Sequence, residues 1–217
     1  MDLIQGLISF ILHIDEHLVD IIQIFGGWSY AILFLIIFIE TGVVVFPFLP
    51  GDSLLFAGGA FAAVDAFNIW LLVAVFFVAA VLGDTVNYHI GRKVGMSIPP
   101  NSWLGKVINK EKMKAAEEFF NKHGGKTILI ARFMPFVRTF APFVAGASRM
   151  NYRYFAFYNI VGAAVWVGLC TLLGYLFGNI PIIKENFSTV LLAIIFLSVL
   201  PALIGVVKNK FGSQPAR

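Results

Sequence analysis

The chemistry this chain can do is concentrated in a few polar side chains set where an apolar sequence tolerates them least. Glu40 and Asp52 fall in the mostly apolar stretch ETGVVVFPFLPGDSLLFAGG, residues 40–59. Arg132, Arg138 and Thr139 fall in a second, RFMPFVRTFAPFVAG, residues 132–146, and Asp84 lies near the end of a third. An ionised carboxylate at the centre of a bilayer costs about 2.5–3.5 kcal/mol on insertion scales, and desolvation favours proton uptake instead. Glu40 and Asp52 are therefore expected to take up and release protons, and one of them to pair with an arginine in some states. Arginine keeps its charge, and its planar fork suits phosphate oxygens. Arg132 and Arg138, with Thr139 and the N–H groups of a helix start, are expected to bind a phosphate.

Plainer readings stand beside these. Asp52 follows Pro50-Gly51 and can simply cap a helix. Glu40 can be a buried hydrogen-bonding group, and Arg132 can snorkel to an interface. Asp84 can join the site or cap the end of its span. Arg138, between two prolines in an apolar stretch, is the hardest to explain by structure alone. The sequence has no G-x-S-x-G elbow, no H-E-x-x-H and no Walker loop. His13, His17, His89 and His123 lack metal-ligand spacing. Neither enzyme chemistry nor a metal or other cofactor is expected. Cys170 is the single cysteine, so no disulfide forms within the chain.

The elements that position these residues must be membrane helices. Of 217 residues, 59% are hydrophobic and 13% charged, and mean hydropathy is +0.86; soluble domains carry about 25% charged residues. Net charge is +4, but the basic residues gather at 92–126, 149–153 and 208–217. There they flank apolar segments as orientation signals and form no nucleic-acid stripe. The N-terminus lacks a basic region and a cleavage site, so no cleaved signal peptide is expected.

In chain order, residues 1–27 read as an interfacial amphipathic helix and 28–62 as a re-entrant hairpin broken at Pro47 and Pro50, its short arm running through Gly59. Residues 66–91 read as a spanning helix, and 92–126 as a cytoplasmic loop holding an amphipathic helix over 110–123 that Gly124-Gly125 stops. A second hairpin over 127–148 is broken at Pro135 and Pro142, with Thr139 able to cap its short arm. Residues 154–178 and 187–207 span. Trp28, Tyr30, Trp70, Trp103 and Trp166 supply interface anchors. Pro47-Phe48 aligns with Pro135-Phe136, and Ala57-Gly58 with Ala145-Gly146, at one offset. With basic residues held inside, the first hairpin opens outward and the second inward. The expected fold is an all-α membrane protein, an inverted repeat of two re-entrant broken-helix hairpins plus spanning helices, with its site near the midplane.

At these residues the sequence resembles the DedA family of bacterial inner-membrane proteins, also described by the VTT or SNARE-associated domain. The resemblance rests on E-T-G at 40–42, PFLPGDSLLFAGG at 47–59, GDTVNYHIGR at 83–92, KHGGKTILIARFMPFVRTFAPFVAG at 122–146 and G-Y-x-x-G at 174–178. It implies a re-entrant-hairpin transporter that recycles undecaprenyl phosphate, with dependence on a proton or sodium gradient and a part in envelope integrity. It also implies functional acids at Glu40 and Asp52 and functional arginines at Arg132 and Arg138. The expectation is a multi-pass protein of the bacterial inner membrane with a cytoplasmic C-terminus. It translocates a polyprenyl phosphate or phospholipid, coupled to protons or sodium, and homo-oligomerisation stays open. The rivals are an uncoupled phospholipid scramblase, a small-ion or proton exchanger, and a scaffold or lipid phosphatase.

Overall fold

A computed structural model of the chain describes residues 24–42, 51–94, 124–134 and 137–185. Among these residues all regular structure is helical: α1 Gly27–Gly42, α2 Gly51–Ala63, α3 Ile69–Val94, α4 Lys126–Ala131, α5 Val137–Ala147, α6 Tyr152–Gly178 and α7 Pro181–Glu185. The expected interfacial helix up to residue 23, the breaks at Pro47, Pro50 and Pro135, the amphipathic helix over 110–123 and the span 187–207 lie outside the described residues.

Among the described residues two helices are long and apolar enough to cross a bilayer. In their most apolar windows α3 (26 residues) and α6 (27 residues) reach mean hydropathies of 2.4 and 2.1. At 1.5 Å per residue each is about 40 Å long, against roughly 30 Å of hydrocarbon. On α3, Val78, Leu82, Val86 and Ile90 are exposed at four-residue spacing, one unbroken apolar face. That face suits lipid, since soluble monomers rarely expose such a stripe. Trp28 and Trp70 are exposed, in keeping with their expected place at an interface. The protein is an all-α, multi-helix membrane fold. The helix α3 starts where Asn68 Oδ1 accepts from the N–H groups of Trp70 and Leu71 at 3.0 and 3.1 Å, an N-cap.

The helices sort into two compact units. One holds α2, residues 69–72 of α3 and residues 170–178 of α6. The other holds residues 30–42 of α1, 73–94 of α3, α4, α5 and 152–169 of α6. Each unit contains one short helix locked on one spanning helix by reciprocal close approach of backbones. In the first, a methyl at Gly59 would overlap the carbonyl of Thr171, and one at Gly174 that of Phe56. In the second, a methyl at Gly146 would overlap the carbonyl of Tyr88, and one at Gly91 that of Phe143. The two locks are the same device, a Phe-x-x-Gly on the short helix meeting an x-x-x-Gly on the long one. The structural counterpart of Gly146 is thus Gly59 and not Gly58, one residue off the sequence alignment. Three-residue spacing on a helix face decides which glycine is pressed against its neighbour.

Both short helices also end alike. After α2, the Ala66 N–H bonds the Phe61 carbonyl and the Asp65 N–H that of Ala62, with Asp65 at φ 61°. After α5, the Met150 N–H bonds the Ala145 carbonyl and the Arg149 N–H that of Gly146, with Arg149 at φ 57°. These are Schellman motifs with a non-glycine residue in the left-handed position.

Two expectations are corrected here. The first short arm does not stop at Gly59 but runs to Ala63, because Gly58 and Gly59 serve as packing surface. Pro142 does not break the second short arm; it lies inside α5 and removes only the bond back to the residue-138 carbonyl. Gly124 takes φ 66°, and any side chain at Gly125 would overlap the ring of Tyr158.

Candidate functional site

The second unit gathers charge from four elements around one point. Glu40 lies in the last turn of α1 and is 1% exposed; Asp84 is on α3 and 5% exposed. Arg132 is the residue that ends α4, where the helix dipole favours a cation. Arg138 lies in the first turn of α5. The Arg138 guanidinium donates to Glu40 Oε1, and the Arg132 guanidinium to Asp84 Oδ2, giving two ion pairs. Two arginines and two carboxylates leave the cluster formally neutral, which is how buried charge is tolerated.

Uncharged partners fix this arrangement. Asn159 on α6 accepts from Arg132 through Oδ1 and donates from Nδ2 to the Val81 carbonyl at 3.1 Å, tying α4, α6 and α3 together. Asn87 on α3 donates from Nδ2 to two carbonyls, Thr41 at 3.1 Å and Thr139 at 2.7 Å. These belong to the neighbours in sequence of Glu40 and Arg138, so one amide sets the backbone of both ion-pair partners. Gly83 lets α1 come close, since a methyl there would overlap the Thr41 hydroxyl. Trp166 on α6 is 2% exposed, and its ring centroid lies 5.6 Å from Arg132 Cζ and 5.2 Å from Arg138 Cζ.

A pocket opens among Thr41, Asp84, Arg132, Arg138, Thr139 and Trp166. Its volume of about 10 Å³ is room for about one water molecule. In this conformation the arginines face their carboxylates, and a phosphate group can enter only by displacing them.

Of the residues singled out in sequence, Glu40, Asp84, Arg132, Arg138 and Thr139 come together here. Thr139 is not the cap of the short arm. Because α5 begins at Val137, Thr139 sits inside the first turn, buried, with its backbone carbonyl on Asn87. Asp52 is an exposed residue in the first turn of α2, in the other unit, and does not line this pocket. Trp166 is no interface anchor: it is buried, and the two arginines occupy its surroundings. Asn87, Asn159 and Trp166 were missed as site residues. Their signal was spacing, since Asn87 follows Asp84 by three, and Trp166 follows Asn159 by seven, both one-face intervals on a helix. Among the described residues no three His, Cys, Asp or Glu side chains converge to hold a metal ion.

Comparison with known proteins shows the family. The VTT domain matches residues 49–176. Protein DedA of Escherichia coli K12 is 50% identical over 214 residues, 97% of this chain and 96% of DedA. Inner membrane protein YqjA of the same strain is 34% identical over 195 residues, 87% of this chain and 88% of YqjA. An uncharacterised membrane protein of Mycobacterium leprae is 44% identical over 171 residues, 78% of this chain and 75% of that protein. No solved structure matches the chain. With a VTT domain over more than half its length and half its residues shared with DedA from end to end, the chain belongs to the DedA family of VTT-domain membrane proteins.

Proposed function

We propose that this protein is a proton-coupled carrier that moves a lipid phosphate, a polyprenyl monophosphate such as undecaprenyl phosphate, across the bacterial inner membrane. The observation that carries the reading is the pair of buried arginine–carboxylate contacts sharing one pocket. Each carboxylate stands where a phosphate oxygen would bond the same guanidinium. A phosphomonoester carries a charge of about −1.5 to −2 near neutral pH. If it enters while Glu40 and Asp84 stay ionised, the site holds about two uncompensated negative charges in a low-dielectric layer. If both acids take up protons, two arginines face one dianion and the site is neutral again. Phosphate entry and proton uptake are then linked, and each favours the other. Release of the phosphate lets the carboxylates ionise and re-pair.

Thr139 adds a hydroxyl beside Arg138, and Asp52, at the start of α2, serves as a further proton-exchanging carboxylate. The α1–α2 and α4–α5 helix pairs are the arms of two re-entrant hairpins of opposite sense. The repeated glycine locks and the repeated helix endings support that symmetry. The name of YqjA supports the inner membrane, and Lys208 and Lys210 support a cytoplasmic C-terminus.

The test is head-group translocation in proteoliposomes containing a polyprenyl monophosphate, with and without a pH gradient. Transport should follow the gradient, vanish in Arg138→Ala protein that still inserts, and lose its gradient response in Glu40→Gln. Normal transport by Arg138→Ala would refute the carrier. Gradient-independent movement of all phospholipids would replace it with a scramblase, and proton flux without lipid movement with an ion exchanger.

A further inference from the structure

We infer that Trp166 is the positioning residue of the arginine pair, a shared aromatic seat that keeps both guanidiniums in place while their carboxylates are exchanged for a phosphate. The exchange itself rests on the carrier reading; the seat does not.

The argument begins with what each element brings to the cluster. The helix α1 contributes Glu40, α3 Asp84, the end of α4 Arg132 and α5 Arg138. The helix α6 brings no charge to it: Arg153, at its first turn, is the sole charged residue in its sequence. What α6 presents along one face is Asn159, Gly162 and Trp166. Gly162 leaves room for the Arg132 stem, whose Nε would lie 3.3 Å from a methyl placed there. Arg132 therefore lies along α6, with Nη2 on the Asn159 amide and Cζ 5.6 Å from the indole, and Arg138 reaches the same ring from α5.

Two like charges converging on one buried side chain repel each other, and their carboxylates offset that only while ionised. Protonation of Glu40 or Asp84 would weaken the hold on its arginine. The indole keeps the group in place by a different interaction. A cation is drawn to the negative face of an aromatic ring, most strongly that of tryptophan, whereas guanidinium N–H groups bond oxygens in their own plane. Contact with the ring and hydrogen bonding to oxygen use different parts of the group. A phosphate can replace a carboxylate on the N–H groups while the ring contact persists. Burial adds to the effect, since a desolvated cation is held more strongly at the ring than one exposed to bulk water.

The test uses the full chain with Trp28, Trp70 and Trp103 changed to Phe, leaving Trp166 as the only tryptophan, excited at the red edge where tyrosine does not absorb. The probe is farnesyl monophosphate, with inorganic phosphate as a second probe. Trp166→Leu should weaken farnesyl monophosphate binding about tenfold, and Trp166→Phe, which keeps a π face, should recover most of it. Emission of the parent should shift on Arg138→Gln and on Arg132→Gln, which a merely space-filling tryptophan would not show. Binding by folded Trp166→Leu within twofold of the parent overturns the proposal. So does an emission spectrum unmoved by either arginine change, a result that needs no Trp166→Leu protein. If the parent binds neither probe, the carrier reading falls, and the seat is then judged by phenylglyoxal. Arg132 and Arg138 should react several-fold faster in Trp166→Leu than in the parent, and equal rates overturn it.

Discussion

Replacing Asp84 by leucine while keeping Arg132 should destabilise the protein more than replacing both. Arg132 is 4% exposed, and its guanidinium has Asp84 as its ion-pair partner and Asn159 as a neutral one. Removing one partner of a buried pair leaves a charge without compensation, at a cost of about 3–5 kcal/mol in proteins generally. The lower end applies here. Helices that lose their packing remain in the apolar phase, and Arg132 near the end of α4 can then turn toward an interface. At roughly 2–4 °C per kcal/mol for a chain of this size, Asp84→Leu should lower the thermal midpoint in detergent by about 6–12 °C. In Asp84→Leu/Arg132→Leu no charge is stranded, and most of that loss should return, leaving about 1 kcal/mol from the Asn159 Oδ1 that loses its donor while Nδ2 keeps the Val81 carbonyl. Transport should be absent from both variants. Stability and function are thereby separated: the double variant is a folded protein that cannot hold a phosphate. A double variant as unstable as the single one, or an Asp84→Leu protein as stable as the parent, would refute the buried pair as the source of the effect.

Two further outcomes follow from the packing. Gly59→Ala and Gly146→Ala each press a methyl into a carbonyl of the neighbouring helix and should cost about 1–3 kcal/mol by overpacking. Gly168→Ala on α6, where nothing lies within 4 Å, should stabilise by up to about 1 kcal/mol through helix propensity, and thermal unfolding of the three variants side by side checks the contrast. Asn87→Leu strips the carbonyls of Thr41 and Thr139 of a buried donor and should cost about 1–3 kcal/mol, with transport reduced. A thermal midpoint equal to the parent's would show that the bridge holds nothing.

The sequence exposes its membrane character and its charged residues because both depend on residue type alone. A carboxylate or an arginine in an apolar stretch is conspicuous in any one-dimensional reading, so Glu40, Asp84, Arg132 and Arg138 stand out. Which acid meets which arginine is a matter of three-dimensional register. Asp52 and Asp84 are equally acidic on paper, yet the structure puts Asp84 on Arg132. Asparagine and tryptophan escape notice for the opposite reason, since an Asn in a membrane helix or a Trp near its middle has many ordinary explanations. Only the convergence of Arg132 on Asn159 and Trp166 gives them a role. The glycines are a third case. Sequence alignment of the two hairpins follows the prolines, whereas packing follows the face of the helix, and the two disagree by one residue at Gly58 and Gly59. Thr139 shows the same limit on a smaller scale, because a cap and a residue inside the first turn differ by three positions that composition does not resolve.

The placement of Asn87 bears on how such a closed site can work. Glu40 and Thr41 are adjacent in the chain, as are Arg138 and Thr139. The side chains of the first of each pair meet in an ion pair, and the backbone carbonyls of the second are bridged by one amide. Breaking the ion pair therefore does not require breaking the bridge. When Glu40 is protonated, its attraction for Arg138 weakens, yet the end of α1 and the start of α5 stay pinned to α3 through neutral hydrogen bonds that no proton transfer alters. On the proposed carrier mechanism the charge exchange would be confined to side chains over a fixed backbone, with protonation exposing a guanidinium rather than separating helices. A room for one water then needs only side-chain rotation to become a place for a phosphate oxygen. A carboxylate and a phosphate alternating on one pinned arginine bind in competition, which is the condition for coupling a proton to a lipid head group.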